Sequence, residues 1–403
     1  MQEQTVNAEK IGQTNEEIKK VRDNLVKLLK KMSKNKDYYS IRNIFKIYAL
    51  YYMIFGERSD GKTYSVLEFM LRAYWEFGYE GAIIRRWDLD FKGKRGHSMF
   101  KNHINNELVS EITNGEWTSV YYYSGQWYLC KYDDKDKRVL SPTPFCYGFS
   151  LNAGEHDKST GYPNVKIILF DEFLTRDTYL PDEFVLFTNT LSTIIRKRGD
   201  AVIFMCGNTV NQFCPYFTEM GITKARSMEQ GKIDTYIYGK NEDLVVAVER
   251  TGVKDKSKRK EKASDKYFAF DNPKLNMITH GSWEIAIYPH LPMKYKPSNI
   301  LFTYFIKYNE FIMQCEVIQV DEYAFTYIHR KTTDLQNNRD DLVFSTEYSP
   351  SPNYRRKLTK PIDEVGRRLY AFFKNDRVFY QDNELGEVVR NYLQWSNTDR
   401  GII

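Results

Sequence analysis

The 403-residue sequence has little of what marks several large protein classes. Its five cysteines (Cys130, Cys146, Cys206, Cys214 and Cys315) form no C-x-x-C pair, and none has a histidine at zinc-finger spacing. Several lie in apolar, strand-like runs, which predicts buried free thiols in a reducing compartment rather than a disulfide framework. No stretch approaches 18 uninterrupted apolar residues, and the polar N-terminus has no signal-peptide core, so the expectation is a soluble, non-secreted protein with no membrane partner. Charge is nearly balanced: 59 Lys and Arg against 53 Asp and Glu leave +6, which suits a nucleic-acid partner and equally an ordinary solvated basic surface. The length predicts two domains, each able to build its own core.

What is present begins at residues 47–63. An apolar, aromatic run from Ile47 to Phe55 predicts a buried strand. It leads into Gly56-x-x-x-x-Gly61-Lys62-Thr63, the phosphate-binding P-loop pattern. Its glycines let the backbone N–H groups close around a phosphate. Lys62 would reach the β- and γ-phosphates, and the Thr63 hydroxyl would help to hold Mg²⁺. Val66, Leu67, Met70, Ala73, Tyr74 and Phe77 follow at helical spacing, with Gly78 at the helix end. Strand, loop and helix stand in the order an ATP site needs.

Within residues 164–172, the four apolar residues Ile167, Ile168, Leu169 and Phe170 run directly into Asp171-Glu172. A buried parallel strand delivers such carboxylates beside the P-loop, where ligands bind in open α/β sheets. Asp171 is the candidate Mg²⁺ ligand and Glu172 the residue that polarises water. A further buried run, 201–206, ends in Gly207-Asn208-Thr209. Asn208 there reads either as a sensor of the γ-phosphate or as an Asn in a strand-end turn. Between these runs, Arg196-Lys197-Arg198 ends a helical stretch. The basic triplet suits an arginine finger acting on a neighbouring subunit, and equally the compensation of a helix dipole by exposed cations.

The rest of the chain frames this core. Ile18, Val21, Leu25, Leu28, Leu29 and Met32 form one stripe of an amphipathic helix, expected to pack on its own domain rather than on a membrane or DNA. Residues 81–87 predict a second strand, and 117–132 a hairpin turning at Ser124-Gly125. Residues 251–265 are strongly charged without an aromatic and read as a linker. Beyond them, 299–308, 311–320 and 323–330 predict an antiparallel meander, followed by a helix from Pro361. That order opens an RNase H-like domain, yet the first of these strands has no acid. Glu310, Asp321 and Glu322 fall in turns, so metal-dependent cleavage is expected to be absent.

The predicted class is α/β: an ASCE-type P-loop ATPase domain with a mostly parallel sheet and flanking helices, plus a C-terminal RNase H-like α+β domain lacking nuclease acids. The expected divisions are an N-terminal extension with the amphipathic helix (1–36), the ATPase domain (37–225), a charged linker region (226–265) and the C-terminal domain (266–403).

The combined motifs resemble the genome-packaging (DNA encapsidation) ATPases of small Picovirinae-type tailed bacteriophages, relatives of terminase large subunits. The likeness is carried by Asp157-Lys158-Ser159-Thr160-Gly161-Tyr162-Pro163-Asn164-Val165, by Phe170-Asp171-Glu172-Phe173, and by Leu180-Pro181-Asp182-Glu183 and Ile195-Arg196-Lys197-Arg198. It covers residues 45–220. The resemblance implies a homomeric ring, pentameric in the family, that docks on the capsid portal in the host cytoplasm and drives double-stranded viral DNA inward by hydrolysing ATP. It also implies that Arg196 is the arginine finger, with Arg198 in reserve, and that Lys158 lies at a subunit boundary or on DNA. A packaging RNA is a further partner of the family. The chain departs from it in its N-terminal helix, its larger C-terminal domain and the acids Glu57 and Asp60 inside the P-loop. Two other readings stand beside this one: a terminase-like enzyme that retains nuclease activity, with Asp321, Glu322, Asp340 and Asp341 clustered, and a P-loop regulator outside packaging.

Overall fold

The computed structural model describes residues 16–34, 38–153, 161–176, 179–252, 265–268, 283, 286–335 and 341–397. Lys158 and Asp340 lie outside the described residues. The chain separates into two compact units that meet in sequence at Trp283 and Glu284.

In the first unit the apolar runs become parallel strands: β1 (Tyr51–Gly56), β2 (Glu80–Arg85), β6 (Cys146–Ser150), β7 (Val165–Asp171), β8 (Val202–Asn208) and β10 (Leu244–Arg250). Their order across the sheet is β6-β2-β7-β8-β1-β10. A parallel sheet is covered on both faces, which is why these strands read as unbroken apolar runs rather than alternating ones. In β7, Ile167 and Leu169 enter one core while Ile168 and Phe170 enter the other. In β1, Tyr52 and Ile54 divide in the same way from Met53 and Phe55.

The helix of residues 16–28 (α1) gives Val21, Leu25 and Leu28 to the first core, as expected of a helix packed on its own domain. Helix α2 (Lys62–Phe77) gives Val66, Phe69 and Met70 to the same side. Helix α3 (Glu183–Ile195) gives Phe187, Leu191 and Ile194 to the other.

Antiparallel strands extend both edges. Strands β3 (Ser119–Tyr123) and β4 (Gln126–Tyr132) form the expected hairpin, with Tyr123 opposite Gln126. Its turn residues Ser124 (φ 48°) and Gly125 (φ 78°) both take the left-handed conformation that two-residue hairpin turns require. Strand β4 joins the sheet through β6 and also carries the short β5 (Arg138–Leu140). At the other edge β9 (Lys232–Tyr238) pairs with β10. This corrects the assignment of 226–265 to a linker: residues 232–250 are strands of the first sheet. Trp283 also belongs to this unit, stacked on Phe55 at 5.4 Å and donating its indole N–H to Arg226 O at 3.1 Å. The strongly charged 253–264 lie outside the described residues.

The second unit holds a separate six-stranded sheet. Strands β11 (Ile300–Tyr308), β12 (Phe311–Val320) and β13 (Tyr323–Arg330) are the expected meander. Two short parallel strands follow, β14 (Leu342–Ser345) beside β11 and β15 (Tyr354–Arg355) beside β14, and only afterwards does helix α4 (Glu364–Lys374) begin. Strands of four and two residues are too short to show a period, so the sequence pattern predicts the helix directly after the meander. Asp363 caps α4 by accepting the Gly366 N–H at 2.8 Å. Strand β16 (Val378–Tyr380) pairs with β13, and helix α5 (Asn383–Asn397) follows. Glu310, Asp321 and Glu322 sit in the strand turns and Asp341 directly precedes β14. No helix among the described residues is long and apolar enough to cross a membrane.

Candidate active site

Strand β1 ends at Gly56, which pairs in register with Asn208 of β8; Cys206 of β8 in turn pairs with Asp171 of β7. Three neighbouring strands therefore bring Gly56, Asn208 and Asp171 to the same carboxyl edge of the sheet. A cleft of about 400 Å³ opens there, lined by Lys62, Thr63, Arg85, Asp171, Glu172 and Asn208 among others.

Each glycine of the loop has a local reason. A β-carbon on Gly56 would stand 2.2 Å from Thr251 Oγ1, so close approach of the β10 terminus demands glycine. Gly61 holds φ at 96° where the loop enters α2, a conformation costly for other residues. The loop then delivers Lys62 and Thr63 to the first turn of α2, where backbone N–H groups and the helix dipole favour an anion.

Lys62 is buried and donates to Glu57 O and to Asp60 Oδ1, the latter at 3.0 Å. Asp60 also accepts the Thr251 hydroxyl at 2.6 Å. Beside it, the Tyr39 hydroxyl donates to Glu249 Oε2 at 2.6 Å. Burial raises Glu249 to about 7, and the nearby Asp60 adds to the rise.

Thr63 Oγ1 donates to Asp171 Oδ1 at 2.7 Å. Hydroxyl and carboxylate thus converge at the mouth of the P-loop, a hard oxygen pair of the kind Mg²⁺ takes when phosphates and water complete its shell. The described residues contain no group of three or more His, Cys, Asp or Glu that could hold a metal ion. Glu172 follows Asp171 with φ at 61°, a left-handed conformation that turns its largely exposed side chain away from the strand direction.

Two arginines at the end of β2 lie beside these acids, one on the cleft and one behind it. Arg85, at the end of β2, pairs with Asp171 Oδ2 at 2.5 Å and with Glu172 Oε2 at 2.8 Å. Arg86 is buried and makes a two-pronged pair with Glu183 at 2.7 and 2.8 Å. The strand-end logic that singled out Asp171 applies equally to this Arg-Arg pair at the end of 81–87.

Arg196 is placed elsewhere. It follows the last residue of α3 and precedes β8, at the amino edge of the sheet. The seven residues of β8 separate that edge from Asn208, a span of about 20 Å. Arg196 and Lys197 both take positive φ (43° and 63°) and are exposed. Arg198 pairs with Asp200 at 2.5 Å and donates to Tyr162 O and Val165 O at 3.0 and 3.1 Å. These bonds build Arg198 into the turn.

A model of the family described as "Podovirus DNA encapsidation protein (Gp16)" matches residues 32–335, from just after α1 into the second unit. The chain belongs to that family. Among curated proteins, the encapsidation-family chain is similar to the DNA packaging protein of Bacillus phage B103, 26% identical over 172 residues, 42% of this chain and 47% of that protein. It is also similar to the DNA packaging protein of Bacillus phage phi29, 23% identical over 167 residues, 41% and 44% of the two chains. These matches span about half the length of the curated relatives. Among solved structures, the bacteriophage Phi-29 viral genome packaging motor assembly shares the fold at a TM-score of 0.52, with 18% identity over 88% of this chain and 97% of that one.

Proposed function

We propose that this encapsidation-family chain is an ATP-driven motor that moves double-stranded viral DNA into a preformed capsid, working as a homomeric ring docked on the capsid portal in the host cytoplasm. The observation that carries the reading is the pairing of a complete P-loop and strand-end acid site at one edge of the sheet with an exposed arginine at the opposite edge. With the length of β8 between Arg196 and its own pocket, the pocket it serves in this reading is that of an adjacent subunit.

The backbone of 56–63 cradles the phosphates of ATP, and Lys62 exchanges its Asp60 and Glu57 partners for phosphate oxygens. Mg²⁺, held by Thr63 and Asp171, would neutralise charge on those oxygens. Glu172, released from Arg85, accepts a proton from the attacking water. Asn208, between the two motifs, reads the state of the γ-phosphate. Arg196 of the adjacent subunit stabilises the charge that develops on the transferred group, a contribution of about 10³–10⁵ in rate. Lys158, outside the described residues, keeps its assignment to DNA phosphate or the subunit boundary. DNA is gripped through its backbone, with little sequence preference and a steep dependence on salt. The ring is a pentamer in this reading, and a packaging RNA belongs with the portal as a partner to be tested.

The test is reconstituted packaging: portal-bearing capsids, the full chain, ATP and double-stranded DNA, scored by DNA protected from nuclease. Protection that needs ATP and vanishes with Glu172→Gln supports the motor. ATP hydrolysis without any protected DNA, with and without a packaging RNA, contradicts it.

A further inference from the structure

Arg85 and Arg86 are consecutive at the end of β2, and their side chains go opposite ways. Arg85 faces the pocket and its acids. Arg86 turns to the other core, where its guanidinium is fully engaged. It grips Glu183 with two prongs, donates to Glu172 O at 3.2 Å and Phe173 O at 3.0 Å, and lies 5.0 Å from the Tyr179 ring. Glu183 also accepts the Tyr216 hydroxyl at 2.9 Å and the Leu180 N–H at 2.7 Å. A buried pair of this kind adds little stability over an apolar one, but it fixes geometry tightly.

What it fixes is the first residue of α3 against the loop that carries Glu172. Helix α3 runs 13 residues, about 20 Å, to the turn bearing Arg196. That far end is clamped as well: Arg198 and Lys166 both pair with Asp200, and Arg198 also donates to Ile194 O at 3.3 Å. The helix thus has a fixed joint at each end and a close-packed core beneath it, so a shift at one end carries to the other rather than being absorbed.

We infer that α3 is a strut linking each subunit's own nucleotide pocket to the arginine it presents to its neighbour, with Arg86 and Glu183 as the positioning residues at the pocket end. The inference rests on the trans role of Arg196. When the pocket fills and Glu172 leaves Arg85, the 172–173 backbone moves, Arg86 carries that movement to Glu183, and Arg196 changes position at the next site. Firing in one subunit is thereby coupled to the state of another.

The experiment mixes full-length subunits in assembled rings and reads ATPase rate. The parent mixture pairs Glu172→Gln, which supplies arginine but cannot hydrolyse, with Arg196→Ala, which retains its pocket but supplies none. Glu183→Gln is then added to one partner or the other. On the arginine-supplying partner it lowers the recovered rate about ten-fold, since a misplaced catalytic group costs one to two orders of magnitude. On the hydrolysing partner it loosens only that subunit's own Glu172 loop, and the loss there is smaller than on the arginine-supplying partner. Tyr216→Phe, which removes one hydroxyl donor to Glu183, shows the same asymmetry at smaller size and serves if Glu183→Gln loses nucleotide binding through misfolding. Equal losses on both partners from these variants, or none on either, overturn the strut while leaving the arginine reading intact. A parent mixture that recovers nothing overturns the trans arginine, and the strut with it.

Discussion

Arg85 and Glu172 form an ion pair with 2.8 Å between Nη1 and Oε2, and the same guanidinium reaches Asp171. The residue proposed to activate water is therefore held by a cation that must let go before it can act. Arg85 also occupies the carboxylate proposed to ligate Mg²⁺.

Competition for Asp171 gives the first prediction. Arg85→Ala lowers the Mg²⁺ concentration needed for half-maximal ATP binding by about three- to ten-fold, because a fixed positive charge leaves the metal's carboxylate. Titration of nucleotide fluorescence with Mg²⁺ checks this. An unchanged or raised midpoint speaks against the pairing.

The P-loop's fit to β10 gives the second. Gly56→Ala sets a β-carbon against the Thr251 hydroxyl and costs about 1–3 kcal/mol of stability together with nucleotide binding. Thr251→Ala removes the nearest clashing atom, so the double variant is more stable than the sum of the single losses. Denaturant unfolding of the four proteins measures the coupling. Strict additivity would mean that the two positions do not meet.

Glu249 gives a pH dependence. Its folded-state pKa, about 7, stands above the ordinary 4.5, so its contribution is full below pH 4.5 and is lost as pH rises through 7. Glu249→Gln cannot ionise. Its advantage over the parent chain should grow by about 2–3 kcal/mol between pH 5 and pH 8. A constant difference between the two unfolding curves would contradict the buried acid.

In the second unit the signs are mixed. His329 lies 3.3 Å from Glu316, which raises the imidazole and lowers the carboxyl to about 2, the His329 bond being the largest cause. The histidine's contribution is full below pH 6.5 and fades as pH rises through its higher folded value. The carboxylate's contribution is present above pH 4.5 and is lost as pH falls through about 2. His329→Gln should flatten the decline in stability above pH 6.5, read by thermal melts at pH 6 and 8.5. An unaltered slope would count against the pair.

The candidate site was legible in the sequence where a buried strand runs out into a polar residue. Gly56, Asp171 and Asn208 each end an apolar run, and the parallel sheet collects those ends at one edge. Arg85 and Arg86 also end such a run, but arginine is so common at exposed strand ends that its type carries no signal without its partners. Arg196 and Arg198 could not be separated within one basic triplet, because their difference lies in the backbone turn and in Asp200. The strands of 232–250 escaped because charged neighbours masked the apolar run Leu244–Val248. The meander was visible through its long strands, whereas β14 gains its place by pairing with β11, and β15 by pairing with β14, not by any pattern of their own.

The central claim is that hydrolysis requires an arginine from another subunit. The most direct measurement is the ATPase rate per subunit across protein concentration, with and without double-stranded DNA, beside a Glu172→Gln control. The account predicts a rate that climbs with concentration, climbs further with DNA and disappears in the control. A rate that is flat in concentration and indifferent to DNA would leave the P-loop site standing and contradict the ring motor.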